Sequence, residues 1–247
     1  MTNWEAVRLG LSTTVLALAL SGAWTECVAA AIALPSVRDN TLFESATGAL
    51  SNGAGPAVYA GDNAGLNTRR ALFFFDVAGH VPAGSIVMKA ELRLHVSSVP
   101  LTESHSIDVH RVLADWGEGS SYSAGGSGAL AQPGDATWIH RFFPNLLWVA
   151  AGGDFVEAPS ASAAVADTGS YVWSGPQLVA DVQSWIDDPA SEFGWMLIGD
   201  EGVTQSVRRI DSREAAEVAV RPELWIEVGT IAVTPQSWGR TKASYRW

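Results

Sequence analysis

From Lys89 to Val96 the chain alternates strictly: Ala90, Leu92, Leu94 and Val96 fall on one parity, and Lys89, Glu91, Arg93 and His95 on the other. A period of two sends successive side chains to opposite faces, so the pattern predicts a half-buried β-strand. Wound as a helix, the same residues would make no apolar stripe. Just upstream, residues 71–77 are apolar on both parities and rich in Phe, which suits a strand covered on both sides. Pro82 and Gly84 supply a turn between the two, so residues 69–96 read as a strand pair that nucleates one sheet.

The same reading predicts strands over residues 36–44, 58–61, 106–113, 136–142, 171–173, 194–198, 205–211 and 223–233. Residues 115–134 are rich in Gly and Ser and form a long loop, and the Ala/Ser stretch 159–166 carries no pattern. One helix is predicted. Ser174 caps it, Pro176 sits in its first turn, Leu178, Val179, Val182, Trp185 and Ile186 share one face, and Asp187-Asp188-Pro189 stops it. Many short strands, one short helix and frequent turns give an all-β fold, an antiparallel β-sandwich.

The termini read differently. Leu9 to Leu20 is apolar, Arg8 precedes it, and Ala29-Ala30-Ala31-Ile32-Ala33 offers small residues at alternate positions. Residues 1–33 are therefore expected to be a signal peptide, the domain to run over 34–232, and the protein to be secreted or held at the cell surface. The apolar run is short for a membrane span, so the mature chain is expected to have none; an N-terminal buried or anchoring helix is the alternative. Cleavage after Ala33 would remove Cys27, the single cysteine, and leave no thiol chemistry. Residues 233–247 form a basic tail on an acidic body, read either as an export or attachment signal or as a frayed end.

Composition narrows the partners. With 247 residues, a net charge of −11 and only 17% charged residues, the chain is globular and lacks the basic footprint that nucleic acid requires. The same charge repels an anionic membrane or a polyuronate unless calcium or a local basic patch intervenes.

No catalytic signature emerges. The five histidines form no H-E-x-x-H or H-x-H pair and read as strand residues on polar faces; no G-x-S-x-G is present, and the adjacent acids Asp187-Asp188 and Asp200-Glu201 point apart on a strand. The eleven tryptophans carry more weight. Trp116, Trp138, Trp148 and Trp173 are the candidate sugar platform, since an exposed indole offers an apolar face to a sugar ring and neighbouring charged groups can bond hydroxyls. The competing reading places the same indoles in the core. Calcium is the expected ion, a hard cation for carboxylates such as Asp39 and Glu44 near the first strand, or Glu118, Asp135 and Asp154 in loops; solvated surface acids account for them equally well. In the charged run Arg208, Arg209, Asp211, Arg213, Glu214, an ion pair between Arg209 and Asp211 is expected on one strand face.

Residues 69–96, Asp115-Trp116-Gly117-Glu118-Gly119, Gly134-Asp135-Ala136-Thr137-Trp138, Gly152-Gly153-Asp154, residues 178–185, Phe193-Gly194-Trp195 and Asp211-Ser212-Arg213-Glu214 together resemble the DNRLRE-domain family of secreted bacterial proteins, over about residues 39 to 229. The resemblance implies a jelly-roll β-sandwich serving as an extracellular, non-catalytic module, related to carbohydrate-binding modules. Members often adjoin polysaccharide-degrading or surface domains. The expected partner is a polysaccharide or cell-surface glycan. A structural surface or matrix protein with protein partners is the alternative, and a polysaccharide hydrolase or lyase the third.

Overall fold

The computed structural model describes residues 28–230, with side chains over 30–229. Fifteen strands follow in order: β1 (Val28–Pro35), β2 (Arg38–Phe43), β3 (Leu50–Ser51), β4 (Ala57–Asp62), β5 (Thr68–Phe74), β6 (Ile86–Ser98), β7 (His105–Arg111), β8 (Ala129–Leu130), β9 (His140–Phe142), β10 (Leu146–Leu147), β11 (Ala161–Val165), β12 (Gly169–Ser174), β13 (Trp195–Gly199), β14 (Arg208–Asp211) and β15 (Glu223–Thr230). A helix, α1 (Pro176–Asp187), lies between β12 and β13. Among the described residues, no helix is long and apolar enough to cross a membrane.

Eleven strands make one antiparallel sheet in the order β1-β15-β6-β14-β4-β5-β13-β7-β11, with β12 beside β6 and β2 beside β5. The sheet curls into a half-barrel. Its two halves are continuous through β4, which pairs with β14 on one side and with β5 through Gly61↔Arg69 and Asp62↔Thr68 on the other. The inner faces share one core. On β6 the predicted parity holds, with Ala90, Leu92, Leu94 and Val96 all buried. They pack in the same cluster as Phe73, Val109, Trp173 and Trp195. Each large side chain there contributes roughly 1.5 to 3 kcal/mol by leaving water.

β5 is covered on both sides, as its unbroken apolar run predicts. Phe73 faces the main core, while Leu72 joins Leu42, Trp116, Trp148 and Met196 in a second cluster on the opposite face. That second cluster accounts for the long loop: the chain between β7 and β11 folds back over the outer face of β2, β5 and β13.

Several expectations are corrected. β5 and β6 are not hydrogen-bonded to each other; β5 pairs with β2, β4 and β13, and β6 with β12, β14 and β15. The turn around Pro82 therefore carries the chain from one half of the sheet to the other, with Phe75, Val77 and Val81 buried along the way. The patternless stretch 159–166 contains β11, paired with β7 from Ala161↔Val109 to Val165↔His105. The strand expected over 136–142 is only the three-residue β9. The N-cap of α1 is Gly175, with no side-chain cap from Ser174. At its other end Asp188 terminates it, as the Asp-Asp-Pro run predicts.

The predicted signal segment meets the sheet. Residues 1–27, with Cys27, lie outside the described residues, and so does the tail 233–247. Val28 to Ala33, however, lie in β1, which pairs with β15 residue for residue from Val28↔Thr230 to Pro35↔Glu223. A cut after Ala33 would strip most of that strand.

Candidate functional site

Three acids distant in sequence meet at one end of β2. Asp39 is wholly buried on that strand, Glu118 lies on the loop after β7, and Glu214 lies in the turn after β14. One ligand oxygen from each lies within 4.8 Å of the other two. At such separations three ionised carboxylates repel pairwise by about 3 to 4 kcal/mol in an effective dielectric near 20, so the arrangement needs a cation or a proton.

Local structure holds each acid in place. Asn40, also wholly buried, donates through Nδ2 to the Glu118 carbonyl at 2.8 Å and the Ala136 carbonyl at 3.3 Å, while its Oδ1 accepts the Asn52 N–H at 3.0 Å. Gly53 is forced by this approach, since a Cβ there would lie 1.8 Å from the Glu118 carbonyl oxygen. Gly119 is forced as well, by a φ of +74° and a Cβ position 1.5 Å from Asp135 Oδ1. Trp116 plugs the loop into the second cluster, its Nε1 donating to the Phe193 carbonyl at 2.9 Å. On the far side, the Ser212 hydroxyl donates to the Gly55 carbonyl at 2.7 Å and accepts the Glu214 N–H at 3.1 Å.

Among the described residues, Arg213 touches all three acids, Asp39 through its backbone amide and the two glutamates through its guanidinium. Its backbone N–H donates to Asp39 Oδ2 at 2.7 Å. Its Nη1 donates to both Glu118 oxygens at 3.1 Å and to Glu214 Oε1 at 2.7 Å. The Asp39 N–H donates to Glu118 Oε1 at 3.0 Å. Burial pushes the Asp39 carboxyl well above the usual range, helped by the charges of Glu214 and Glu118 and opposed by the Arg213 bond. Burial also raises Glu214, against the pull of Arg213. These three carboxylates could hold a metal ion.

Of the predicted calcium ligands, the structure brings together Asp39 and Glu118 and leaves the others apart. Asp135, wholly buried, spends both oxygens on backbone amides, Oδ1 on Ser120 and Oδ2 on Gln132 at 2.8 and 2.7 Å. Asp154 binds the Val149 and Ala150 amides at 2.9 and 3.0 Å, and Glu44 binds the Thr68 amide at 3.0 Å. All three tie loops down through backbone donors. Glu214 is not among the expected ligands; its signals in the sequence are membership of the charged run and of the DNRLRE-like run 211–214. The expected Arg209–Asp211 pair is present at 3.2 Å.

The tryptophan platform is corrected too. Trp116, Trp148 and Trp173 are buried. Their Nε1 groups donate to the carbonyls of Phe193, Thr137 and Ile107, so none offers a ring face to solvent. Trp138 is half-buried, with the Arg70 guanidinium 4.9 Å from its ring centroid. Among the described residues, the indole on an outward sheet face is Trp225. On β15 Leu224, Ile226 and Val228 point into the core, and Trp225 takes the opposite parity. Its cross-strand neighbours are Ala33 and Glu91, and the cations of Lys89 and Arg93 each lie 5.1 Å from its ring. Arg93 also lines a hollow of about 270 Å³ with His95, Ser170, Tyr171 and Glu223, among others, just below the usual size of small-molecule sites.

The histidines spread over several structural roles. Nδ1 of His95 meets Asp211 Oδ2 at 2.7 Å and that of His105 meets Asp200 Oδ2 at 2.9 Å. His105 and His110 are buried and not on a polar face as expected. No known protein family matches this chain, and no curated protein matches it in sequence.

Proposed function

We propose that the chain is a secreted, non-catalytic jelly-roll module that binds a carbohydrate or cell-surface polymer on the outer sheet face around Trp225, with calcium as a structural ion. The observation that carries this reading is the half-buried Trp225 on the outer sheet face, against Arg93, which also lines the hollow with His95 and Glu223. An indole covers the C–H face of a sugar ring through apolar and CH–π contact, and the flanking guanidinium, imidazole and carboxylate can bond the hydroxyls around it. A sheet is a rigid support for such groups, so little ordering cost accompanies binding. The DNRLRE-like runs at 115–119 and 211–214 meet in space at the acidic cluster, which supports reading them as parts of one motif.

Secretion is compatible with β1 if the leader is cut upstream of Val28. Ser21 and Ala23 are small residues at alternate positions, and a cut after Ala23 leaves β1 whole. Sequencing the N-terminus of the exported protein tests this. A start at Trp24 supports it, and a start at Leu34 contradicts it.

Affinity electrophoresis of the full chain through gels containing neutral and acidic polysaccharides tests the binding reading. Retardation by at least one polysaccharide, lost in Trp225→Ala, is the expected result. Protein partners are the second reading, favoured by the open apolar groove of Leu113, Val149 and Phe155, in which Val149 is 97% exposed. Retardation unaffected by Trp225→Ala, or none in any gel, favours that reading instead.

A further inference from the structure

Two oxygens of the acidic cluster are buried and have no hydrogen-bond donor: Asp39 Oδ1 and Glu214 Oε2. Asp39 has no solvent exposure at all, so its free oxygen is cut off from bulk water and carries the full penalty of desolvation. The donors near it are already spent. The Arg213 amide is on Asp39 Oδ2, and its guanidinium is on Glu118 and Glu214. Three carboxylates against one guanidinium leave an excess of two negative charges, the complement of a divalent cation.

We infer that Asp39, Glu118 and Glu214 bind a calcium ion, with the free oxygens Asp39 Oδ1 and Glu214 Oε2 among its ligands. The donor set is oxygen only, which selects a hard ion over zinc or copper. Three protein carboxylates favour calcium, since magnesium keeps several of its waters and is usually bound through only one or two carboxylates. Water and backbone carbonyls fill the remaining positions, as in other calcium shells.

Arg213 is then an internal competitor for the site. Its side chain is 40% exposed, so the guanidinium can swing into solvent as the ion arrives while its backbone N–H stays on Asp39. The ion ties β2 to two loops that sequence places far away, including Glu118, which is 79 positions from Asp39. This inference deepens the structural-calcium part of the proposed function and is independent of the glycan part. Loss of calcium binding with glycan retardation intact sinks the ion alone, and the reverse result sinks only the sugar.

The test is a calorimetric calcium titration of the chelator-treated full chain to about 10 mM, above the weakest extracellular calcium modules, together with melting at each concentration. One saturable equivalent and a melting temperature that climbs with calcium are expected. Asp39→Asn should weaken binding by roughly tenfold or more through loss of a ligand charge, without lowering the melting temperature in chelator. Arg213→Gln should bind more tightly than the parent and melt lower in chelator, a pair of opposite changes that a purely structural arginine would not produce. No saturable heat and no rise in melting for the parent chain overturns the inference, as does parental affinity in Asp39→Asn. If Asp39→Asn does not fold by circular dichroism, Glu214→Gln at the more exposed ligand supplies the same comparison with the same outcomes.

Discussion

Asp39 Oδ2 accepts the backbone N–H of Arg213 at 2.7 Å, a bond between residues 174 positions apart. Asp39→Ala removes that acceptor inside a buried site and leaves the amide unpaired, at a cost of about 1 to 3 kcal/mol. Asp39→Asn keeps a carbonyl oxygen for the amide and removes a buried charge, so in chelator it should be the more stable of the two variants. Urea unfolding in chelator measures both.

Arg208 is wholly buried, and among the described residues no carboxylate pairs with it. Its guanidinium donates instead to the carbonyls of Val165, Ser206, Val207 and Glu103, and burial lowers its pKa. This fork staples β14 to one end of the β7–β11 pairing, where Val165 lies opposite His105 and Glu103 just precedes it. Arg208→Met orphans several carbonyls at once and should cost about 3 kcal/mol or more. Arg208→Lys should cost nearly as much, because three donors on one nitrogen cannot span the same fork. Parental stability in the lysine variant, measured by urea unfolding, would contradict the fork.

The tryptophans divide by burial. Trp116→Ala empties a fully buried site and breaks the bond to the Phe193 carbonyl, so it should cost about 3 to 5 kcal/mol. Trp225→Ala removes a half-buried ring and should cost less. Thermal melts of the two variants, set beside their retardation in polysaccharide gels, should separate a stability role from a binding role.

Glu192 gives the protein a pH signature away from the acidic cluster. Its carboxylate accepts the Val77 and Ala78 amides at 2.7 and 3.1 Å. Burial nonetheless raises its pKa against those bonds, with Asp76 adding to the rise and Arg38 opposing it. A raised folded value means that the folded state holds the proton more tightly than the unfolded one. Its contribution is therefore present below the ordinary value of about 4.3 and lost as pH rises through the folded value. Urea midpoints across this window should show the parent losing stability relative to Glu192→Gln as pH increases. A gap that moves the other way would contradict the assignment.

What the sequence made legible follows from how local each signal is. The alternation in β6 and the helical face of α1 are written within a few residues, and both are found where the pattern places them. β11 was illegible because Ala161, Ser162, Ala163 and Ala164 are too small to show an alternation. Val28 to Ala33 satisfies a leader and a strand alike, since both ask for small apolar residues. Pairing partners are not local at all, so β5 and β6 read as neighbours although they belong to opposite halves of the sheet. Trp225 was within reach: the parity of Leu224, Ile226 and Val228 already sends it outward. The acidic cluster was only half within reach, because nothing near residue 214 shows that it meets residues 39 and 118.

The central claim, that the outer face around Trp225 is the binding surface, is tested most directly by following indole N–H resonances while an oligosaccharide of the retarding polymer is added. The Trp225 signal, identified by its absence in Trp225→Phe, should move, while those of the buried Trp116 and Trp173 stay in place. A Trp225 signal that stays fixed while binding saturates would contradict the account.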